Sequence, residues 1–550
     1  DAGSNTYVSR EGDGAYDRIT VAAGVYTWTD GSTNATEVYE AAPALRLLAS
    51  RDAMGKGFTY VYDADGRLER ARAQSGESTF FVYDPEGLLT QVRSGASLAD
   101  SRVNVRYVHD DRNRLQAVIV DLTPANTTDA AEYRTDYTYE GDSSRVTSIA
   151  QTDRTRLVIA YEQGGTEHRV TSITDALGRS TRFAYLPAAV DAAAYTLVTD
   201  ALGQVTRFDR DAEGQLLKVT PPAGAGGAVS FTYTGGNVTS VVDAAGATTT
   251  FAYDDRGNRT SERDALGNLV TRTYNPRNLV EKEVVDGETT RHVYDAAGKL
   301  LRFSISPEGR VTEHRYDDFG REITTLAHAR ALYTAAEATT TDEATLKAWA
   351  LTQAAEAVVL ATMTYDARGQ LASLTRNGST DTFVHDQRGL LLERRSAATG
   401  AAVFAYDGLG RLLATTDKGD AASAADDIVT TTVYLDAAGT TRVTMANGLV
   451  STSVYDKAGL LVATVNSAGT AGEARYVYDA AGRLRMTEDA TQVRSFAMSA
   501  SPSCFLGGMC GSVPGARAVT SGLSSGFPGT TTGPSSPPFI TASKVSSSSP

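Results

Sequence analysis

Few residues of this 550-residue chain have the types and spacing that chemistry needs. Gly522-Leu523-Ser524-Ser525-Gly526 spells the G-x-S-x-G pattern of a hydrolase nucleophile. That pattern works when a strand precedes the serine and a helix follows it, presenting the hydroxyl on a strained turn. Here it lies in a tract of Ser, Gly, Pro and Thr with neither, so catalysis is not expected of it. Asp209, Asp211, Glu213 and Gly214 imitate the start of a calcium-binding loop, but its twelfth position is Thr220 instead of a bidentate Glu. The same residues fit an ordinary turn. Histidines 109, 168, 292, 314, 328 and 385 offer no pair at metal-ligand spacing with a third ligand nearby, and read as strand side chains. No catalytic, cofactor-binding or metal-binding residue is expected, and no enzyme activity.

What recurs is Tyr-Asp, two residues, then Gly. The copies are Tyr62, Asp63 and Gly66; Tyr83, Asp84 and Gly87; Tyr253, Asp254 and Gly257; Tyr294, Asp295 and Gly298; and Tyr316, Asp317 and Gly320. They continue as Tyr365, Asp366 and Gly369; Tyr406, Asp407 and Gly410; Tyr455, Asp456 and Gly459; and Tyr478, Asp479 and Gly482. His385-Asp386 with Gly389 is the same unit with His in the tyrosine slot, and Phe208 is read as filling that slot before Asp209. Tyr253, Tyr274, Tyr294 and Tyr316 step by 21, 20 and 22 residues, a period that marks a repeat architecture.

A second turn lies between the first ones, as in Asp175-Ala176-Leu177-Gly178, Asp200-Ala201-Leu202-Gly203 and Asp264-Ala265-Leu266-Gly267. Asn278 stands where one turn glycine is missing, and Asn also tolerates the left-handed conformation. Asp-x-x-Gly suits a type I turn whose Asp accepts from the backbone two residues on, with Gly at positive φ in a bulge. Two such turns per period leave strands of ordinary length. Leu301, Phe303 and Ile305 share one strand face, Arg302 and Ser304 the other. The fold class is therefore all-β: tandem antiparallel hairpins of about 21 residues. Twist accumulates over so many strands, so the sheet must curl into a spiral or close on itself.

Two readings of the Tyr-Asp pair follow. Exposed tyrosines beside aspartates would stack on sugars. Alternatively, each Tyr stacks on its equivalents across strands while the Asp caps the turn. A motif present in every copy favours the structural job. The Arg after many turn glycines, as at Arg67, Arg179, Arg310, Arg321 and Arg483, is expected to pair with nearby carboxylates.

The organisation expected is as follows. Residues 1–58 are a degenerate start, with Tyr39 the first slot, and 59–324 are repeat shell. Residues 325–361 are an Ala-rich helical insertion that begins at Thr341-Asp342-Glu343 and carries Leu346, Trp349, Ala350, Ala354 and Val358 on one face. It is read as a lid or plug on the sheet, or else a mobile loop. Repeats resume over 362–497, and 498–550 is a low-complexity, disordered tail or the product of a frameshift or chimeric end.

Composition agrees with a wall of strands and turns: 50 Gly and 26 Tyr against 2 Trp. A net charge of −14 disfavours nucleic acid. No apolar stretch is long enough to span a membrane as a helix. Both cysteines, Cys504 and Cys510, fall in the tail, so no disulfide framework is expected in the body. The chain begins at Asp1, so it reads as a fragment. Asn34-Ala35-Thr36 is a glycosylation sequon that matters only in a eukaryotic secretory pathway.

The motif Tyr-Asp-x-x-Gly-Arg-Leu, at residues 62–68, 406–412 and 478–484, resembles that of the RHS or YD-repeat (tyrosine-aspartate repeat) family. This family comprises bacterial polymorphic-toxin and wall-associated proteins, toxin-complex shells and the related teneurins. The resemblance covers about residues 39–490 and implies a strand spiral that forms a hollow cocoon, in many members around a C-terminal toxin or effector domain. The family's closing segment, with its autoproteolytic aspartates, has no counterpart in this sequence. The resemblance implies a secreted or bacterial cell-surface protein, with an encapsulated effector as partner. The alternative is an extracellular carbohydrate-binding or cell-adhesion scaffold whose partners are glycans or cell-surface proteins.

Overall fold

The computed structural model describes residues 6–495, except 9–16, 32–34, 53–54, 127–128, 165–167, 189–193, 319, 329–330, 335–340, 367, 398, 420–424, 468–472 and 490–492. The expected tail, with Cys504, Cys510 and the Gly522–Gly526 motif, lies outside the described residues.

Forty-two strands among the described residues form one sheet, from Thr6–Val8 to Val493–Ser495. Each strand pairs antiparallel with the next one in sequence, as Gly57–Tyr62 does with Leu68–Ala73 and then Ser78–Tyr83. The end strands each pair on one side only, so the sheet is not closed into a barrel. The all-β reading holds, and the sheet already includes the strands before residue 58.

The turns explain the meander. Each Tyr-Asp turn is closed by the glycine N–H donating to the aspartate carbonyl, at 2.7–3.0 Å in all nine copies. The nine glycines have φ between +66° and +90°, a region open to residues without Cβ. The pairing register shifts at the tyrosine itself, as between Val61 and Tyr62, which is the bulge such a loop imposes. Asn278 takes φ +61°, as a glycine substitute should. Four hairpins among the described residues differ: Ala23-Gly24, Gly235-Gly236, Asp286-Gly287 and Asn377-Gly378 are two-residue loops with both residues left-handed, the type I′ geometry. Around the calcium-loop imitation, the turn is Asp211–Gly214 and Arg210 takes the bulge position, so Phe208 sits two residues before the slot assigned to it.

Most of the sheet is a single layer of half-buried residues, and the principal core lies under one helix. Phe303, Ile305 and Val311 are at most 2% exposed. Glu343–Thr352 (α1) covers them with Leu346 and Ala350, beside Tyr333 and Trp349. Asp342 caps α1, its carboxylate accepting from Thr345 N–H at 2.7 Å. The insertion is thus a lid on the sheet. It is shorter than the sequence suggests: strands Glu322–His328 and Val358–Tyr365 run into the 325–361 stretch, and Val358 lies exposed on a strand, off the helix face. Ala-rich composition hid these strand ends, whose backbone hydrogen bonds are made to sheet neighbours. Among the described residues no helix is long and apolar enough to cross a membrane.

Candidate functional site

The repeat residues assemble into a clasp between successive hairpins. In the turn at Asp63, one carboxylate oxygen accepts from the N–H groups of Asp65 and Arg67, at 3.0 and 2.8 Å. The other accepts from Arg67 Nε at 2.7 Å. The Arg67 guanidinium then lies over the next repeat tyrosine, 5.1 Å from the Tyr83 ring centre. Tyr83 in turn donates its hydroxyl to Leu68 O, at 2.9 Å, just past the turn where Arg67 begins. One Asp, one Arg and one Tyr therefore tie this turn to its successor.

The unit recurs along the sheet. Tyr62, Tyr294, Tyr316, Tyr365 and Tyr478 donate to Leu47, Val280, Leu301, Glu322 and Leu461 carbonyls at 2.8–2.9 Å. Arg321 lies over Tyr365 at 4.9 Å while its Nε reaches Asp317 at 2.8 Å. Arg179 and Arg483 pair with Asp175 and Asp479 in the same way. Tyr253, Tyr406 and Tyr455 occupy the same bulge position in their turns. Arginines lie over the rings of Tyr62, Tyr83 and Tyr365, and the ring–ring contacts of the described residues join Trp349 to His328 and Tyr333 instead of one repeat tyrosine to another. Spacing explains this, because equivalent tyrosines are two strands apart and an intervening strand separates them.

Burial pushes Tyr316 up to about 12, helped by the nearby Glu322 carboxylate. The aspartates go the other way. Hydrogen bonds from the Arg114 side chain and backbone hold Asp110 at about 2. The sequence reading missed several clasp tyrosines: Tyr139, Tyr161, Tyr185 and Tyr233 donate to Leu115, Val146, Val170 and Leu216 carbonyls. They precede Glu140, Glu162, Leu186 and Thr234 instead of Asp. Their spacing, 22 and 24 residues and then 48 across two periods, was the available signal.

A meander places alternate turns on opposite edges. The Tyr-Asp turns share one edge, and the intervening turns share the other. Where the ribbon returns, the two edges meet. Arg368, in the turn at Asp366, pairs with Glu77 on the other edge. Gly408 donates its N–H to Leu122 O at 2.8 Å. Arg154 Nη2 donates to Tyr455 O at 3.1 Å, and Arg483 Nη1 to Gln204 Oε1 at 3.2 Å. These partners lie 279 to 301 residues apart in sequence. The sheet is therefore a spiral whose second coil sets its tyrosine edge on the far edge of the first. Arg411 is a hub of this seam. It pairs with Asp407 and Asp436, and lies over Tyr434 of its own coil and Tyr133 of the other.

No group of three or more His, Asp, Glu or Cys residues among those described is arranged to hold a metal ion. Asp209 pairs with Arg207 at 2.8 Å, and Asp211 caps its own turn. One histidine stands apart. His328 is buried, and its Nε2 reaches Glu313 at 3.1 Å beneath Trp349. Although burial opposes it, Glu313 is held below the usual carboxylate range by Arg315 and His328. This cluster anchors the sheet beneath the lid.

Comparison with known proteins agrees with the repeat fold. The RHS Repeat family model matches residues 196–225, 234–275 and 294–331. No curated protein matches the chain. Among solved structures, the chain is similar to one in the Photorhabdus luminescens Tc holotoxin pore. The identity is 13%, the TM-score 0.52, and the match covers 87% of this chain and 30% of that one. It is likewise similar to one in the TcdB2-TccC3-Cdc42 complex, with 14% identity and a TM-score of 0.53 over 87% and 29% of the two chains. At such identities the likeness is one of fold, and this chain spans less than a third of either length.

Proposed function

We propose that this chain, which matches the RHS Repeat family model over residues 196–225, 234–275 and 294–331, is a wall segment of a secreted or surface-displayed bacterial shell, which encloses or presents a toxin or effector domain. The single observation that supports this reading most is the seam. A ribbon one sheet thick whose coils are joined edge to edge makes a continuous barrier, whereas an open solenoid would leave both rows of turns free. The clasp adds to it, because the tyrosine hydroxyls that would hydrogen-bond sugars are committed to backbone carbonyls. The proposal gives the repeat residues a structural role and assigns no catalysis.

Two experiments test it. Electron microscopy of the isolated chain should show curved walls of sheet thickness with stacked coils, and compact lobes would refute the wall. In the whole secreted protein, a downstream effector should resist trypsin until the wall is cut. Digestion of that effector at the same rate in intact and denatured protein would refute enclosure. The carbohydrate-binding or adhesion alternative predicts hits on a glycan array, and a uniformly blank array ends it.

A further inference from the structure

One cavity on the seam, of about 540 Å³, is lined by Arg154, Arg156, Val158, Asp175, Gly178 and Lys457. Three of these side chains are cationic, in a chain whose net charge is −14. The single carboxylate, Asp175, is already engaged by Arg179 at 2.6 Å. Lys457 has no ion-pair partner among the described residues. Arg156 gives its Nε to Ser148 Oγ at 3.1 Å. A cavity of this size, with convergent cations, suits a small charged molecule.

Arg154 carries the argument further. It stands at φ +74°, fourth in the turn that begins at Gln151, where equivalent turns place Gly178 and Gly203. An L-residue is strained there and glycine is not, so the arginine is kept against its backbone preference. Room is left for it: a Cβ on Gly439 would fall 1.8 Å from Arg154 Nη2. The guanidinium bridges the coils through Tyr455 O, yet its Nε is buried without a hydrogen-bond partner. A buried donor left without an acceptor costs free energy, so the seam does not fully satisfy the guanidinium, whose residue also lines the cavity.

We infer that the seam cavity is a binding site for a small oxyanion-bearing molecule, its carboxylate, sulfate or phosphate held by Arg154 and Arg156 from one coil and Lys457 from the other. Because the cations come from both coils, the bound molecule draws the coils together.

Isothermal titration of the chain with inorganic pyrophosphate and with D-glucuronate, at low salt, tests this. Saturable binding of at least one probe, with a dissociation constant below ~1 mM and weakening as salt rises, is expected. Tighter pyrophosphate assigns the site to phosphates, and tighter glucuronate to carboxylate sugars. Arg156→Gln with Lys457→Gln should weaken binding about tenfold or more. Arg154→Gly restores glycine to the strained position. It should leave the circular-dichroism spectrum unchanged and the melting temperature no lower, yet lose binding by about as much. Absence of saturable binding for both probes at ~10 mM, or equal affinity in all variants, overturns the proposal.

Discussion

Gly408→Ala tests whether the seam contributes to stability separately from the hairpins it joins. Gly408 is not at positive φ, so a methyl group strains no turn. It meets the other coil instead: its Cβ would fall 1.6 Å from Asp121 O and 2.7 Å from Asp121 C. Carbon and oxygen need about 3 Å or more, so the coils must part locally and stretch the Gly408 N–H to Leu122 O bond of 2.8 Å. Loss of that bond is worth about 0.5–1.5 kcal/mol, and overpacking about 1–3 kcal/mol. Together they predict roughly 1.5–4.5 kcal/mol. The assay is hydrogen exchange by mass spectrometry alongside urea unfolding. Peptides covering 117–126 and 404–412 should lose protection together, although Gly408 and Leu122 are 286 residues apart (408 minus 122). The control is Gly410→Ala, two residues away at φ +81°. It should cost about 1–2 kcal/mol within its own hairpin, with peptide 117–126 unchanged. Unchanged exchange at 117–126 in Gly408→Ala, with an unshifted urea midpoint, would refute the seam.

Other predictions follow from the clasp and the lid. Tyr83→Phe removes the bond to Leu68 O and should destabilise by about 1 kcal/mol in urea unfolding, with Arg67 packing retained. Phe303→Ala empties a fully buried site beneath α1 and should cost about 3–5 kcal/mol. In a Trp28→Phe background, the Trp349 emission should shift to the red as the lid loosens; an unshifted spectrum counts against the packing. Alkali should unfold the wall in a set window. Tyr39 and Tyr316 are pushed up to about 12, chiefly by burial, so the folded state favours their protonated form. That stability is full below pH about 10 and is lost as pH rises through about 12, to be followed by circular dichroism beside phenolate absorbance. At the acid end Asp110, held at about 2, contributes above about pH 4 and loses its contribution as pH falls through 2. A circular-dichroism signal flat from pH 4 to below 2 would contradict the aspartate clasp.

The Asp-x-x-Gly spacing was enough to predict the hairpins because a positive-φ residue and a carboxylate cap act within five residues of each other. Alternation in Leu301-Arg302-Phe303-Ser304-Ile305 likewise anticipated the buried face, where Phe303 and Ile305 are fully buried while Arg302 and Ser304 are only partly so. Asp342 marked the helix start, because a cap is also a local interaction. Readings failed where a residue's partner is distant. The tyrosines were assigned to each other, yet Tyr83 and Tyr316 each reach a carbonyl 15 residues back, and Tyr83 lies under Arg67. His328 is a strand side chain, as read, but its burial by Glu313 and Trp349 from two other elements was not legible in the sequence.

By itself, the sequence determined the all-β class, the period, the alternation of faces and the place of the lid. Each of these depends on interactions between residues close along the chain. Only the tertiary structure decided how far the ribbon turns before it meets itself, and so which residues become seam partners. That distance is the sum of many small twists over more than twenty strands, and no single residue records it. Gly408 beside Leu122, and Arg154 beside Gly439 and Lys457, are pairings that exist only because that sum brings one edge of the ribbon onto the other.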